Sequence, residues 1–262
     1  MAVMLKSRQE IAKLREAGRL VAQTFEVMRP YVKPGVTTLE LDKIAEDYIR
    51  SKGAIPIYKG YGARAAFRGM PAVPPFPGTI CISINEVVCH GIPSEKIKLK
   101  EGDIVGVDIG VLLDGWVGDS CVTYAVGEIS PEAKKLMEVA KRCTELGIEE
   151  ALANKRLGDI GAVIQEYAEA HGYSSVRELG GHGVGRSLHE DPHVSHFGKR
   201  GTGLRIRPGM VFTIEPMINQ GTAQTRTLSD QWTVCTADNK LSAQFEHTIA
   251  ITTGEPEILT VV

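Results

Sequence analysis

The 262 residues carry 30 Lys and Arg against 32 Asp and Glu, a balance without the basic surplus that nucleic acid or an anionic membrane surface selects. The length allows a substantial core, as one large domain or two small ones, and five cysteines without a CxxC pair speak against a disulfide framework or a zinc ribbon. The N-terminal MAVMLKSRQEIAKL has no basic-then-apolar leader pattern, and no apolar run reaches the roughly eighteen residues of a membrane span, so a soluble, cytoplasmic, globular protein is expected.

Ser7 and Glu10 form a capping box, after which Ile11, Leu14, Val21, Phe25 and Met28 recur at helical spacing until Pro30. Thr37 and Glu40 repeat the device ahead of Leu41, Ile44, Ala45, Tyr48 and Ile49, with Gly53 as the stop. Residues 56–78 are rich in Pro, Gly and aromatics and read as a long loop, a feature that is often functional in a compact domain. A strand pair follows, TICISI and VVCHGI, whose turn at Asn85-Glu86 predicts Cys81 opposite His90.

The stretch IVGVDIGVLLDGWVGDSCVTYAV, Ile104 to Val126, has the form of a β-hairpin about a Leu-Asp-Gly turn. A turn at Leu113-Asp114 sets Asp108 directly opposite Asp119. One at Asp114-Gly115 sets Asp119 against Gly110 and leaves Asp108 one diagonal away. Either register puts both carboxylates on one face, roughly 5–8 Å apart. Like charges so placed need a proton, a basic side chain, a metal ion or open water to be tolerated.

Ser130-Pro131-Glu132 is a helix start, with Leu136, Met137, Val139, Ala140, Cys143 and Leu146 as the apolar face. A second helix is predicted from about Asp159 to His171, where a histidine suits the helix dipole. The run from Gly180 to His189, GGHGVGRSLH, places two histidines seven apart around glycines that let backbone approach a ligand. Three strands close the chain: MVFTIEPMI, QWTVCT and LSAQFEHTIAIT. Glu215 stands within an otherwise apolar strand, on the face of Val211, Thr213 and Met217, where a carboxylate is rarely buried unless paired or bound to a cation. Glu246 lies on the face of Gln244 and Thr248. His247 reads as a core histidine, and His193 and His196 as polar loop residues. The order of two helices and then strands occurs twice, about 7–126 and 130–252. This suggests two similar α+β halves of one domain closing around one site. Asp108, Asp119, Glu215, Glu246 and one histidine would make a donor set for a pair of divalent ions such as manganese, iron, cobalt or zinc, and two such ions assist hydrolysis by polarising a carbonyl.

In this order, SINEVVCHGIP, VDIGVLLDGWVGDS, GGHGVGRSLHE, FTIEP and QFEHT resemble the type I methionine aminopeptidases of the pita-bread fold. The resemblance runs from about Ser7 to Leu259. It implies an α+β, pseudo-twofold domain spanning 1–262, with antiparallel sheet inside and helices outside. It also implies two divalent ions (cobalt, manganese, iron, zinc or nickel) and removal of the initiator methionine from nascent polypeptides at the ribosome, with a small second residue. A monomer is implied, without nucleic-acid or membrane contact. Asp119 and Glu246 match the bridging ligands, Asp108 the ligand of one ion, and His182 with Glu215 those of the other. His189 matches the residue at the scissile carbonyl, His90 the one near the scissile amide, and Glu215 the one that handles the proton of the attacking water. Tyr61, Phe76, Cys81 and Trp232 match the methionine pocket. Leu188 stands where the family commonly has an aromatic, and residues 63–75, ARAAFRGMPAVPP, are an insertion between Gly62 and Phe76, expected at the cleft mouth. Proline-specific peptidases share the ligand pattern but generally carry an N-terminal domain. Type II methionine aminopeptidases need a subdomain for which His189 to Glu215 leaves no room. A catalytically silent binding module of this fold would typically have lost ligands.

Overall fold

The computed structural model describes residues 3–65 and 72–262. Both capping boxes form: Ser7 caps α1 (Arg8–Met28) and Thr37 caps α2 (Thr38–Ser51), each with a glutamate reaching back to the cap amide. The reciprocal bonds satisfy two amides that a helix start otherwise leaves unpaired. Pro30 turns the end of α1 into a single 3-10 turn, Arg29–Tyr31. Ser130 caps α3 (Pro131–Glu150). The last helix, α4 (Leu157–Ala170), starts two residues ahead of Asp159, whose carboxylate reaches back to accept the Arg156 amide at 2.8 Å.

All strand pairings among the described residues are antiparallel. One apolar core joins α1 and α2 to the hairpin, with Val21, Phe25, Leu41 and Ile49 meeting Val105, Val107 and Ile109. A second joins α3 and α4 to the C-terminal strands, with Leu136, Cys143 and Ile164 meeting Phe212, Ile214 and Ile249. Helix α1 lies so close to the hairpin that a Cβ on Gly118 would stand 2.5 Å from the Ala17 carbonyl.

The hairpin pairs Ile104–Leu113 with Trp116–Ala125 and turns at Asp114 (φ 50°) and Gly115 (φ 76°). Two central residues at positive φ define the type I′ turn, whose twist matches the strands and which Asp-Gly accommodates where Leu-Asp does not. The register follows from the turn: Gly110 faces Asp119 and Asp108 faces Cys121, so the two acids are diagonal neighbours. On the other edge, Cys81–Ile84 pairs with the same strand and sets Cys81 opposite Asp108. The predicted Cys81–His90 pairing does not form. Val87–Cys89 pairs instead with Val234–Thr236, His90 takes a left-handed φ of 57°, and the Ile82 amide reaches past it to the Gly91 carbonyl at 2.9 Å.

The two long C-terminal strands each break in the middle. Val211–Ile214 and His247–Ala250 belong to a five-stranded sheet that also holds Gly181–Gly183 and Glu190–Val194. Their continuations, Met217–Asn219 and Ser242–Gln244, pair with each other in a three-stranded sheet. Pro216 has no amide to carry the ladder onward. At the other break the Glu246 amide donates to the Cys121 carbonyl of the hairpin at 2.8 Å. Glu215 and Glu246 therefore stand at the seams between sheets, where the sequence leads to the expectation of two unbroken strands. In the long loop, Arg64 and Val73 exchange two backbone hydrogen bonds of 3.0 and 2.8 Å. Residues 66–71 of the predicted insertion lie outside the described residues.

Candidate metal centre and cleft

Carboxylate oxygens of Asp108, Asp119 and Glu246 lie within 4.8 Å of one another. The hairpin supplies the first two. It also positions the third, since Ser120 Oγ donates to the Glu246 carbonyl and Thr248 Oγ1 donates to the Asp119 carbonyl at 2.7 Å. Asp119 and Glu246 are buried, and Asp108 opens partly to the cleft. The Tyr58 hydroxyl stands 2.5 Å from both Asp108 Oδ1 and Asp119 Oδ1, and its single proton serves one of them at a time. Burial raises the Asp108, Asp119 and Glu246 carboxyls above the ordinary carboxylate range, and the charge of Asp119 adds to the rise at Asp108 and Glu246.

Glu215 completes the acid set from the facing seam. Thr213 Oγ1 donates to its carboxylate at 2.6 Å and Gln244 Nε2 at 3.4 Å, and its backbone N–H donates to His196 Nε2 at 3.1 Å. Burial raises this carboxyl as well. His182 Nε2 lies 3.5 Å from Asp119 Oδ2 and 3.6 Å from Glu215 Oε1. Burial holds its imidazole below its usual value, so at neutral pH it is a neutral donor group between two acids. Four acids and one neutral imidazole converge without a lysine or arginine among them. Hard oxygen donors with a borderline nitrogen are the chemistry that divalent Mn, Fe, Co or Zn accepts, and the residues present fit such a group.

His189 lies against His182, ring centroids 4.1 Å apart, and its Nδ1 stands 2.6 Å from the Tyr61 hydroxyl. His90 lines the same cleft, edge-on to Trp232 at 6.3 Å. Burial pushes both imidazoles down to about 4. The cleft holds one cavity of about 150 Å³, walled by the four acids and His182 on one part of its lining and by Tyr61, Phe76, Cys81, Leu188, Met217 and Trp232 on another. Phe76 meets Trp232 edge-on at 5.4 Å, and the Trp232 indole N–H donates to the Pro74 carbonyl at 2.9 Å. The described end of the insertion is thus tied to the pocket wall.

All the residues singled out in the sequence meet in this cleft. Two participants escaped that reading. Tyr58 sits in a loop without periodicity, and nothing local marks it. His196, assigned to a polar loop, is 1% exposed and serves the backbone of Glu215; a histidine within a stretch of charged and glycine residues carries no signal of burial.

A cluster of buried acids around a neutral imidazole, set in the seams between antiparallel sheets, defines a metallohydrolase class of site. The chain belongs to metallopeptidase family M24, whose model matches residues 12–253. It is 50% identical over 258 residues to methionine aminopeptidase A of Synechocystis, covering 98% of this chain and 97% of that one. The crystal structure of methionine aminopeptidase from Rickettsia prowazekii superposes with a TM-score of 0.93 at 44% identity, over 99% of this chain and 100% of that one. A prolidase from Pyrococcus horikoshii, at 22% identity and a TM-score of 0.72 over 98% of this chain and 63% of that one, shares the fold alone. The architecture is the α+β pita-bread fold. Among the described residues, no helix is long and apolar enough to cross a membrane.

Proposed function

We propose that this protein is a methionine aminopeptidase that removes the initiator methionine from nascent polypeptides with a small second residue. The observation that carries the reading is the convergence of Asp108, Asp119 and Glu246 within 4.8 Å in one cavity whose remaining lining includes Phe76, Cys81, Met217 and Trp232. Kinship with the methionine aminopeptidases supports it.

Two divalent ions would be held by Asp108, Asp119, His182, Glu215 and Glu246. When bound, such ions polarise the scissile carbonyl and make water a stronger nucleophile. The protein's own residues do the rest. Phe76, Cys81, Tyr61 and Trp232 enclose the methionine side chain, whose flexible thioether suits an apolar, adaptable wall. His189 donates to the oxygen of the scissile carbonyl, where negative charge grows. His90, beside Trp232, serves the scissile amide. Glu215, its carboxylate oriented by Thr213 and Gln244, takes the proton of the attacking water. The five free cysteines, all buried, agree with a reducing cytoplasmic setting.

Metal-free protein reloaded with Mn, Co, Fe, Zn or Ni, assayed on Met-Ala-Ser and Ala-Pro, tests the reading. Release of methionine with at least one ion is expected; no release with any of them overturns it, and cleavage of Ala-Pro alone points to the proline-specific branch. The insertion at 63–75, anchored through Pro74 to Trp232, is assigned to access for the peptide beyond its first residue. Its deletion is expected to change turnover of long Met-peptides more than of short ones. Unchanged kinetics on both would remove that role.

A further inference from the structure

Tyr61 stands at the neck of the insertion, and its conformation is closely held. Its amide donates to the Tyr58 carbonyl at 2.9 Å, and its carbonyl accepts the Phe76 amide at 3.0 Å. The next residue, Gly62, lies flat under Trp232, where a Cβ would come within 2.4 Å of the indole ring. The Tyr61 hydroxyl ends 2.6 Å from His189 Nδ1, and the two rings are 5.5 Å apart. Among the described residues, no other group hydrogen-bonds the His189 ring, which otherwise rests on the His182 ring in a glycine-rich segment.

A neutral imidazole has one donor and one acceptor nitrogen. If Nδ1 carried the proton and donated to the phenol oxygen, Nε2 would be a bare acceptor, unable to hydrogen-bond a carbonyl oxygen. If the phenol donates, the proton sits on Nε2 and points away from Tyr61. We propose that Tyr61 is a positioning residue: its hydroxyl donates to His189 Nδ1 and holds the imidazole as the Nε2–H tautomer, in the orientation that meets the reacting carbonyl. This rests on the role of His189 given above and adds the group that sets its donor. The insertion enters the chain after Gly62, one residue past Tyr61, and ends at Phe76, so the neck that frames the pocket also fixes the catalytic ring.

Tyr61→Phe keeps the ring and deletes only the hydroxyl, at a residue that is 36% exposed. Nitrogen-15 spectra of histidine-labelled metal-free protein should show His189 protonated at Nε2 in the wild type and as a tautomer mixture in the variant. With metal restored, kcat on Met-Ala-Ser should fall about tenfold, the equivalent of one hydrogen bond lost in the transition state, while KM stays within about twofold. A wild-type spectrum with the proton on Nδ1, an unchanged kcat, or a rise in KM alone would overturn the proposal. If the wild type releases no methionine from any peptide, the functional reading falls instead, and the spectra still decide the hydrogen bond.

Discussion

An Asp119→Asn substitution keeps the shape of the side chain and removes one negative charge from the middle of the acid cluster. The amide oxygen still accepts from Tyr58, and the backbone carbonyl still accepts from Thr248, so the hairpin retains its contacts. With ligand oxygens no more than 4.8 Å apart, each like-charge pair at that distance repels by about 3.5 kcal/mol at an effective dielectric of 20. Burial already moves these carboxyls toward protonation, so the relief realised is smaller, at most about 3 kcal/mol. The metal-free variant is therefore expected to be as stable as the wild type or more so. Metal reverses the ranking. A manganese concentration about a hundredfold above the dissociation constant should stabilise the wild type by about 2.7 kcal/mol, and the variant, without the Asp119 carboxylate, should gain nothing at that concentration. Urea unfolding with and without manganese, alongside Met-Ala-Ser turnover, reads both effects. A metal-free variant that is less stable than wild type, or one whose midpoint manganese still shifts by the wild-type amount, would refute the reasoning.

Tyr58→Phe removes the hydroxyl shared by Asp108 and Asp119, and the metal-free protein is expected to lose about 1–3 kcal/mol; manganese should restore most of this in urea unfolding, and an equal loss with and without metal would contradict the account. Gly118→Ala drives a methyl into the Ala17 carbonyl, where backbone meets backbone and neither yields. It should cost at least about 2 kcal/mol in the same assay, and a loss under half of that would mean α1 slides freely on the hairpin. Asp108, Glu215 and Glu246 have carboxyls raised by burial, so the folded chain binds more protons than the unfolded one and metal-free stability falls as pH rises. His90 and His189, pushed down to about 4, act with the opposite sign, but their contribution is complete above their usual 6.5. Relative to a Glu246→Gln variant, in which the histidine contribution is the same, the metal-free melting temperature of the wild type should therefore fall as pH rises above 4.5, the ordinary value of a glutamate; parallel profiles would exclude a raised Glu246 carboxyl.

Much of this molecule is legible one segment at a time. The caps at Ser7, Thr37 and Ser130 form because each needs only a hydroxyl and amides within three residues. The Asp114-Gly115 turn admits one comfortable conformation, and the diagonal placing of Asp108 and Asp119 follows from it. The acids and histidines of the cleft carry their own signal, because a carboxylate in an apolar strand or a histidine among glycines is out of place by composition alone. Tyr58, His196, the ladder partner of Cys81 and the break at Glu246 carry no such signal. Each depends on a partner far along the chain: Tyr58 meets Asp119 across 61 residues, and Glu246 takes its amide partner from Cys121. The amino-acid sequence by itself determined the helices, the hairpin and the chemical kind of the site, since those rest on bonds made between near neighbours. Only the tertiary structure decided which strands give up their ladders to bring four carboxylates together and which hydroxyls and imidazoles hold them. That choice depends on how two cores pack against each other, and the pattern within a segment does not encode it.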